Sequence, residues 1–335
     1  MCCVGGSKGR TERASVHFCT FLHIFAHFCT FSHIPFIPYI PYIPTFPCIP
    51  YIFFLFLVLR ENLYLCRLNE KFVLMNGVKP KKALGQHFLT DLSVAERIAT
   101  TVADVAEPIL EIGPGMGVLT RFLLEQHPAG QVTLVEIDNE SVDWLQSHLA
   151  DPKPRIVYGD FLRLDLNELF PGDEALCIIG NYPYNISSQI FFRVLDYKDR
   201  VRVCSGMLQR EVAERLAAAP GTKARGILSV LLQAFYHVEY LFTVSEHVFN
   251  PPPKVKSGVI KMVRNDVAEL PCDEKLFKTV VKTTFGQRRK TIRNSVRSLL
   301  PPGTSADAVP YASLRPEQLS VEQFIELTIA VQNLR

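Results

Sequence analysis

Residues 108–120 read Pro108-Ile-Leu-Glu-Ile-Gly-Pro-Gly-Met-Gly-Val-Leu-Thr120, and this stretch decides the fold. Ile109, Leu110 and Ile112 form a short apolar run of the kind that fills a strand buried on both faces. Gly113, Gly115 and Gly117 then turn the chain, and a helical pattern starts at Val118. A strand ending in a glycine turn at a helix N-terminus brings bare backbone up to a ligand. The next strand, Val132-Thr-Leu-Val-Glu136, ends on Glu136. An acidic residue about 20 positions beyond such a turn is placed to accept hydrogen bonds from ribose hydroxyls.

The glycine spacing discriminates between ligands. A dinucleotide fingerprint needs Gly-x-Gly-x-x-Gly, with backbone cleared for a pyrophosphate. Here the pattern is Gly-x-Gly-x-Gly, and Val118 stands where the third fingerprint glycine would fall. With Glu111 before the turn, the loop resembles the nucleoside loop of S-adenosylmethionine methyltransferases, whose ligand has no phosphate.

Outward from this corner, apolar strands alternate with helical patterns. Ser93 and Glu96 read as a capping box for a helix leading into the first strand. Ser141 to Leu149 reads as a helix, Arg155 to Tyr158 as a strand ending at Gly159-Asp160, and Ala175 to Gly180 as a strand ending at Asn181-Tyr-Pro-Tyr184. Further strands are expected over Val201–Leu208, His237–Val244 and Gly258–Val263, with helices between. This alternation predicts an α/β fold: a parallel, doubly wound, Rossmann-like sheet over residues 76–265. Beyond Asp273 no strand pattern remains, so residues 266–335 are expected to form a small all-α domain. Its helices are expected over Glu274–Phe285, Gln287–Leu299 and Ser320–Asn333, the last with a Ser320/Gln323 capping box. In open sheets the ligand lies beyond the carboxyl ends of the strands, where Gly113, Glu136, Asp160 and Asn181 all fall.

The Asn-x-Pro-Tyr segment suggests the chemistry. The exocyclic N6 of adenine is a weak nucleophile because its lone pair is delocalised into the ring. A site helps by accepting hydrogen bonds from the amino protons. The Asn181 side-chain oxygen and the Tyr182 carbonyl, freed by Pro183, are suitable acceptors, and Tyr184 is placed to stack on the base, worth roughly 1–3 kcal/mol. No general base is required, because the amino proton becomes acidic as the new N–C bond forms. Positioning two reactants supplies about 7–11 kcal/mol.

Together, Lys82-Ala-Leu-Gly-Gln-His-Phe88, Glu111 to Thr120, Glu136-Ile-Asp138, Gly159-Asp160, Asn181-Tyr-Pro-Tyr184 and Phe249-Asn-Pro-Pro-Pro-Lys-Val-Lys-Ser257 resemble the ribosomal RNA adenine dimethyltransferases. Gln287 to Asn294 resembles the bacterial small-subunit (16S) branch. The resemblance runs from about Lys79 to the C-terminus. It implies S-adenosylmethionine as cofactor, two methyls added to each of two adjacent adenosines in a small-subunit rRNA hairpin loop, and a late role in small-subunit assembly. It also implies a cytoplasmic protein whose partner is the immature small subunit. On the matching motifs, His87 and Leu89 contact the methionine part of the cofactor and Gly113, with Gly115 and Gly117, forms its loop. Glu136 holds the ribose, Asp160 the adenine amino group, and Asn181 bridges cofactor and target. Tyr182 departs from the family, which more often has an aliphatic residue there. Its backbone carbonyl is the proposed actor, so the departure is tolerated.

For RNA contact, Arg289, Arg293 and Arg297 fall at i, i+4 and i+8 of the expected helix, with Arg288 and Lys290 alongside. This reads as a phosphate-binding stripe, against the simpler possibility of a solvated face. One rival is an enzyme of the large-subunit, macrolide-resistance type, against which the Gln287–Asn294 segment argues. Another is an assembly factor that keeps the fold without turnover, against which Gly113, Glu136, Asp160 and Asn181 argue.

Composition sets the remaining bounds. The chain has 335 residues, 48% of them hydrophobic, and a formal charge of +3. Residues 76–335 hold 30 basic and 30 acidic side chains, so affinity for nucleic acid must come from local clusters. Six of the nine cysteines lie in the first 75 residues. The others, Cys177, Cys204 and Cys272, suggest neither a disulfide framework nor a metal site, as in a reducing compartment. Residues 1–75 repeat His-Phe-Cys-Thr-Phe and carry prolines every third position from Pro35 to Pro50. This spacing defeats helix and sheet alike. The segment reads as a low-complexity extension, with translation expected to start at Met75. No membrane association is expected for residues 76–335.

Overall fold

The computed structural model describes residues 77–335, which belong to one compact unit. The expectations for the N-terminal extension lie outside the described residues.

In chain order, β1 (Phe88–Leu89) leads into α1 (Leu92–Thr100), β2 (Ile109–Ile112), α2 (Val118–Gln126), β3 (Val132–Glu136), α3 (Asn139–His148) and β4 (Arg155–Tyr158). Then follow α4 (Leu166–Leu169), β5 (Leu176–Asn181), α5 (Ser187–Asp196), β6 (Val201–Gln209), α6 (Arg210–Leu216), α7 (Ile227–Gln233), β7 (Tyr236–Val244), β8 (Phe249–Asn250) and β9 (Ser257–Arg264). The C-terminal part contains α8 (Glu274–Gly286), α9 (Ile292–Ser295) and α10 (Val321–Asn333).

The main sheet has seven strands in the order β4-β3-β2-β5-β6-β9-β7. The pairs joining β4 through β6 are parallel, whereas β9 runs antiparallel to both β6 and β7. The sheet is therefore mixed, and the fully parallel arrangement expected from the alternation is corrected at this end. Strand β9 follows β7 through residues 245–256, which hold a 3-10 turn and β8 but no α-helix to cross over the sheet, and it returns antiparallel.

Central strands are buried on both faces, and alternate residues feed two cores. Leu110, Ile112 and Ile178 pack with Ile190, Phe191 and Leu231. Ile109, Cys177 and Ile179 pack with Val94, Ile98, Leu119 and Phe122 on the opposite face. The C-terminal helices join the first core: Phe277, Val280, Phe324 and Leu327 share it with Leu228 and Leu232 of α7. The Ser320/Gln323 capping box is formed, with Ser320 Oγ accepting from Gln323 N at 3.2 Å and Gln323 Oε1 accepting from Ser320 N at 2.9 Å.

Two local expectations are corrected. Helix α1 is capped by Asp91, whose Oδ1 accepts from Ser93 N at 3.0 Å and Val94 N at 3.4 Å. Ser93 and Glu96 therefore lie inside the helix. Asp91 takes the cap because its carboxylate reaches the open N–H groups two and three positions on.

The expected helix Gln287–Leu299 is interrupted. Helix α8 ends at Gly286, α9 starts only at Ile292, and a short 3-10 turn spans Arg297–Leu299. Competing tertiary bonds break it: Ile292 N donates to Leu314 O at 2.8 Å and Arg293 N to Ala312 O at 3.0 Å. Arg289, Arg293 and Arg297 thus do not form one helical stripe.

Candidate active site

Strand ends β2, β3 and β5 and the loop after β4 open into one cleft. Its lining includes Gln86, His87, Gly113, Gly115, Glu136, Asp160, Asn181, Pro183 and Tyr184. The structure therefore brings together most of the residues singled out by sequence. Leu89 and Gly117 lie outside the lining. The Leu89 side chain is buried in the second core, and Gly117 is the N-cap of α2.

The glycine turn is built around backbone access. Gly113 has φ +65, and a Cβ there would meet nothing within 4 Å, so its surface stays open to the cleft. Gly115, at φ +58, is different, because a Cβ would fall 2.9 Å from the Phe88 ring. Glycine here provides both the left-handed backbone and the space for Phe88.

Glu136 is buried, yet its partners among the described residues are backbone donors rather than cations. Its Oε2 accepts from Gly115 N at 3.0 Å, and its Oε1 accepts from Ile137 N and Asp138 N, both at 2.9 Å. One carboxylate thus ties the glycine turn to the start of α3. Burial pushes its carboxyl above the usual range, opposed by these three donors. Glu111 lies deeper and, among the described residues, accepts only from Thr120 Oγ1, at 2.7 Å. Burial pushes its carboxyl up to about 8, so Glu111 is largely protonated at neutral pH. Asp160 Oδ1 accepts from Leu162 N at 3.0 Å, and its other oxygen lies 3.5 Å from Arg163 Nε.

The Asn181–Tyr184 corner has a fixed polarity. Asn181 Nδ2 donates to the His87 carbonyl at 3.1 Å, which leaves Oδ1 as an acceptor with no hydrogen-bond partner among the described residues. Tyr182 departs from the family pattern without disturbing this corner. Its ring is buried beside Gly180 and Gly206, and its hydroxyl donates to Ser205 O at 2.6 Å. Only its backbone is left for the site.

The segment that carries Gln86, His87 and Phe88 to the cleft is anchored at both ends, which sequence reasoning did not anticipate. The strands β1 and β8 form a separate two-stranded sheet, pairing Phe88 with Asn250 and Leu89 with Phe249. His87 Nδ1 lies 2.8 Å from the Pro251 carbonyl and must donate to it, since a carbonyl only accepts. At the other end, Lys81 Nζ lies 2.5 Å from Asp138 Oδ1 and Gln86 Nε2 3.2 Å from Asp138 Oδ2. Burial opposes ionisation of Asp138, but the Lys81 and Gln86 bonds outweigh it and hold the carboxyl below the usual range. The only available sequence signal was Asp138 following Glu136 by two positions.

The five basic residues beyond α8 separate into two groups. Arg288 donates to the Lys223 carbonyl and lies 3.8 Å from Glu317, and Arg293 pairs with Asp307 at 3.0 Å. Arg289, Lys290 and Arg297 are exposed, with no ion pair among the described residues. Also among the described residues, no group of three or more His, Cys, Asp or Glu is arranged to hold a metal ion, and no helix is long and apolar enough to cross a membrane.

Fold and cleft together define a Rossmann-like methyltransferase. The family model described as ribosomal RNA adenine dimethylase matches residues 77–330, and the chain belongs to that family. It is 66% identical over 260 residues to the ribosomal RNA small subunit methyltransferase A of Parabacteroides distasonis, covering 77% of this chain and 96% of that protein. The protein of the same name from Porphyromonas gingivalis is 61% identical over 259 residues, covering 77% of this chain and 100% of its own length. Among solved structures, a dimethyladenosine transferase from Plasmodium falciparum shares the fold at TM-score 0.61 and 21% identity, covering 72% of this chain and 96% of that one. The 23S rRNA methyltransferase ErmE aligns at TM-score 0.55 and 26% identity, covering 73% and 99%.

Proposed function

We propose that this chain uses S-adenosylmethionine to dimethylate N6 of two adjacent adenosines in a hairpin loop of small-subunit ribosomal RNA, late in subunit assembly in the cytoplasm. The observation that carries this reading is the single cleft that gathers an open glycine turn, a buried Glu136 and the oriented acceptor of Asn181.

The cleft suits the cofactor. Its lining contains Glu136 and Asp160 and no Lys or Arg, so it offers no countercharge to a pyrophosphate and favours a cationic nucleoside. When bound, S-adenosylmethionine supplies a sulfonium methyl, which passes to N6 as the S–C bond breaks, and N6 releases a proton to solvent. Glu136 accepts from the ribose hydroxyls, and Asp160 accepts from the adenine amino group of the cofactor. Gly113 presents backbone to it, and Gly115 and Gly117 shape the turn. His87 faces its methionine end, with Leu89 anchoring that segment in the core.

Asn181 Oδ1 and the Tyr182 carbonyl accept from the target amino group, Pro183 keeps that carbonyl free, and Tyr184 stacks on the base. These contacts favour a pyramidal nitrogen in line with the methyl. The target adenine must leave its stack to reach them, which a loop permits. Arg289, Lys290 and Arg297 contact phosphates, while Arg288 and Arg293 contribute less because each already has a protein partner.

The high identity to relatives named for the small subunit supports that substrate over the large-subunit alternative. The test is incubation with labelled S-adenosylmethionine and ribosomal subunits lacking the modification, followed by mapping of the product. N6,N6-dimethyladenosine at two adjacent small-subunit positions is expected. Label confined to large-subunit RNA, or no label, would overturn the proposal.

A further inference from the structure

We infer that a second pocket, beyond the His87–Tyr184 wall, is a subsite for the nucleotide next to the adenosine being methylated, and that Asn185 and Gln209 read its base. The inference rests on the reading of this chain as an RNA adenosine methyltransferase.

The two cavities share Gly85, Gln86, His87 and Tyr184. The His87 and Tyr184 rings form the partition, with centroids 5.4 Å apart and planes tilted by 30°. Asn181 and Pro183 line only the first cavity, whereas Asn185, Gln209 and the segment from Pro251 to Val255 line only the second. A base in the second pocket therefore lies away from the Asn181 acceptor, while a base stacked at Tyr184 lies beside it. Adjacent bases of a loop can occupy the two sides of one aromatic wall.

The pocket has the chemistry of a base site. Pro252 and Val255 expose apolar surface along one side. Asn185 lies over Gly85, so close that a Cβ on Gly85 would come within 2.7 Å of its Oδ1. Gln209 ends β6, opposite Ser257 in register. Neither amide has a hydrogen-bond partner among the described residues. A carboxamide offers a donor and an acceptor side by side, matching the edge of adenine. Lys82 and Lys254 also line the pocket, exposed and without an ion pair among the described residues, and supply positive charge for backbone phosphates. The walls are held in place by the His87–Pro251 bond at 2.8 Å and by Arg210 N donating to Lys256 O at 2.9 Å. In single-stranded RNA, unstacked bases are read in this way, by an apolar face and a polar edge.

The test compares the full chain with the Asn185→Ala/Gln209→Ala variant on small subunits lacking the modification. One substrate carries the two adjacent adenosines, and the other has uridine in place of the neighbour. Initial methylation of the remaining adenosine is measured on both. For the unaltered protein, the uridine substitution is expected to slow methylation about tenfold, the lower range for losing a two-point amide contact to a base. The variant is expected to be slow on both substrates and to have lost this discrimination, with unchanged affinity for S-adenosylhomocysteine. The single variant Gln209→Glu, which keeps side-chain volume, is expected to lose part of it. Full discrimination in the double variant, or none in the unaltered protein, would overturn the subsite. Failure of the unaltered protein to form dimethyladenosine on the adjacent-adenosine substrate would overturn the proposed function itself, a separately visible result.

Discussion

The strand-end cleft and the basic segment beyond α8 were both read from residue spacing, and the structure treats them differently. In the cleft, Gly113, Glu136, Asp160 and Asn181 lie at the ends of neighbouring strands, and sheet pairing brings them together. In the basic segment, the spacing of Arg289, Arg293 and Arg297 suggested one helix face, but tertiary bonds to Leu314 and Ala312 interrupt that helix. A strand end is fixed by its neighbours in the sheet. A surface charge run has no such constraint, and i, i+4 spacing has meaning only where a helix persists.

The largest effect that would sharpen this contrast is expected at Asn181. Asn181→Ala should lower methylation on the order of 100-fold or more, the range seen when one oriented polar group is removed from a reacting centre. Cofactor affinity, measured by calorimetry, should change little. Near-normal turnover in this variant would remove the cleft's proposed role.

The next prediction concerns the buried carboxyl behind the turn. Glu111 holds its proton up to about pH 8 when folded, against an ordinary value of 4.5. The folded state therefore binds more protons than the unfolded state within this window, and stability falls as pH rises through it. Glu111→Gln imitates the protonated form and can still accept from Thr120. Denaturant melts should show a flatter pH profile for the variant between these values, with the gap from the parent closing as pH falls. Equal slopes would mean that Glu111 is not protonated in this way.

A smaller effect is expected in the basic segment, where the broken stripe makes unequal predictions. Arg289→Glu and Arg297→Glu should each weaken RNA binding and reduce the salt slope by about 1, one phosphate contact apiece. Arg293→Ala should change the slope less, because Arg293 is paired with Asp307. Equal effects at all three would restore the single-stripe reading. The smallest expected effect is at Asp138. Asp138→Asn should weaken cofactor binding about threefold by loosening the Lys81 and Gln86 anchors, since a partly exposed ion pair is worth at most about 1 kcal/mol.

Legibility followed physical range. Strand β4 lies where its residues suggested, and β2, β3 and β5 end at the expected site residues, because short apolar runs bounded by glycine or polar turns leave few alternatives. The cap of α1 was misplaced because Ser93-x-x-Glu96 imitates a capping box, while Asp91 competes more effectively two residues earlier. The β1–β8 pairing joins residues more than 150 positions apart through two-residue strands, too short to carry a pattern. The anchoring of His87 and the second pocket depend on that pairing, which the residues alone did not show. Direction was equally hidden at β9, where alternation indicates a strand but not which way it runs.

The most direct test of the account is a crystal structure of the chain with S-adenosylhomocysteine and adenosine. It should place the cofactor ribose at Glu136, its adenine at Asp160, and the N6 of the added adenosine against Asn181 Oδ1 and the Tyr182 carbonyl. A cofactor bound away from Glu136, or an adenosine whose N6 faces away from Asn181, would contradict it.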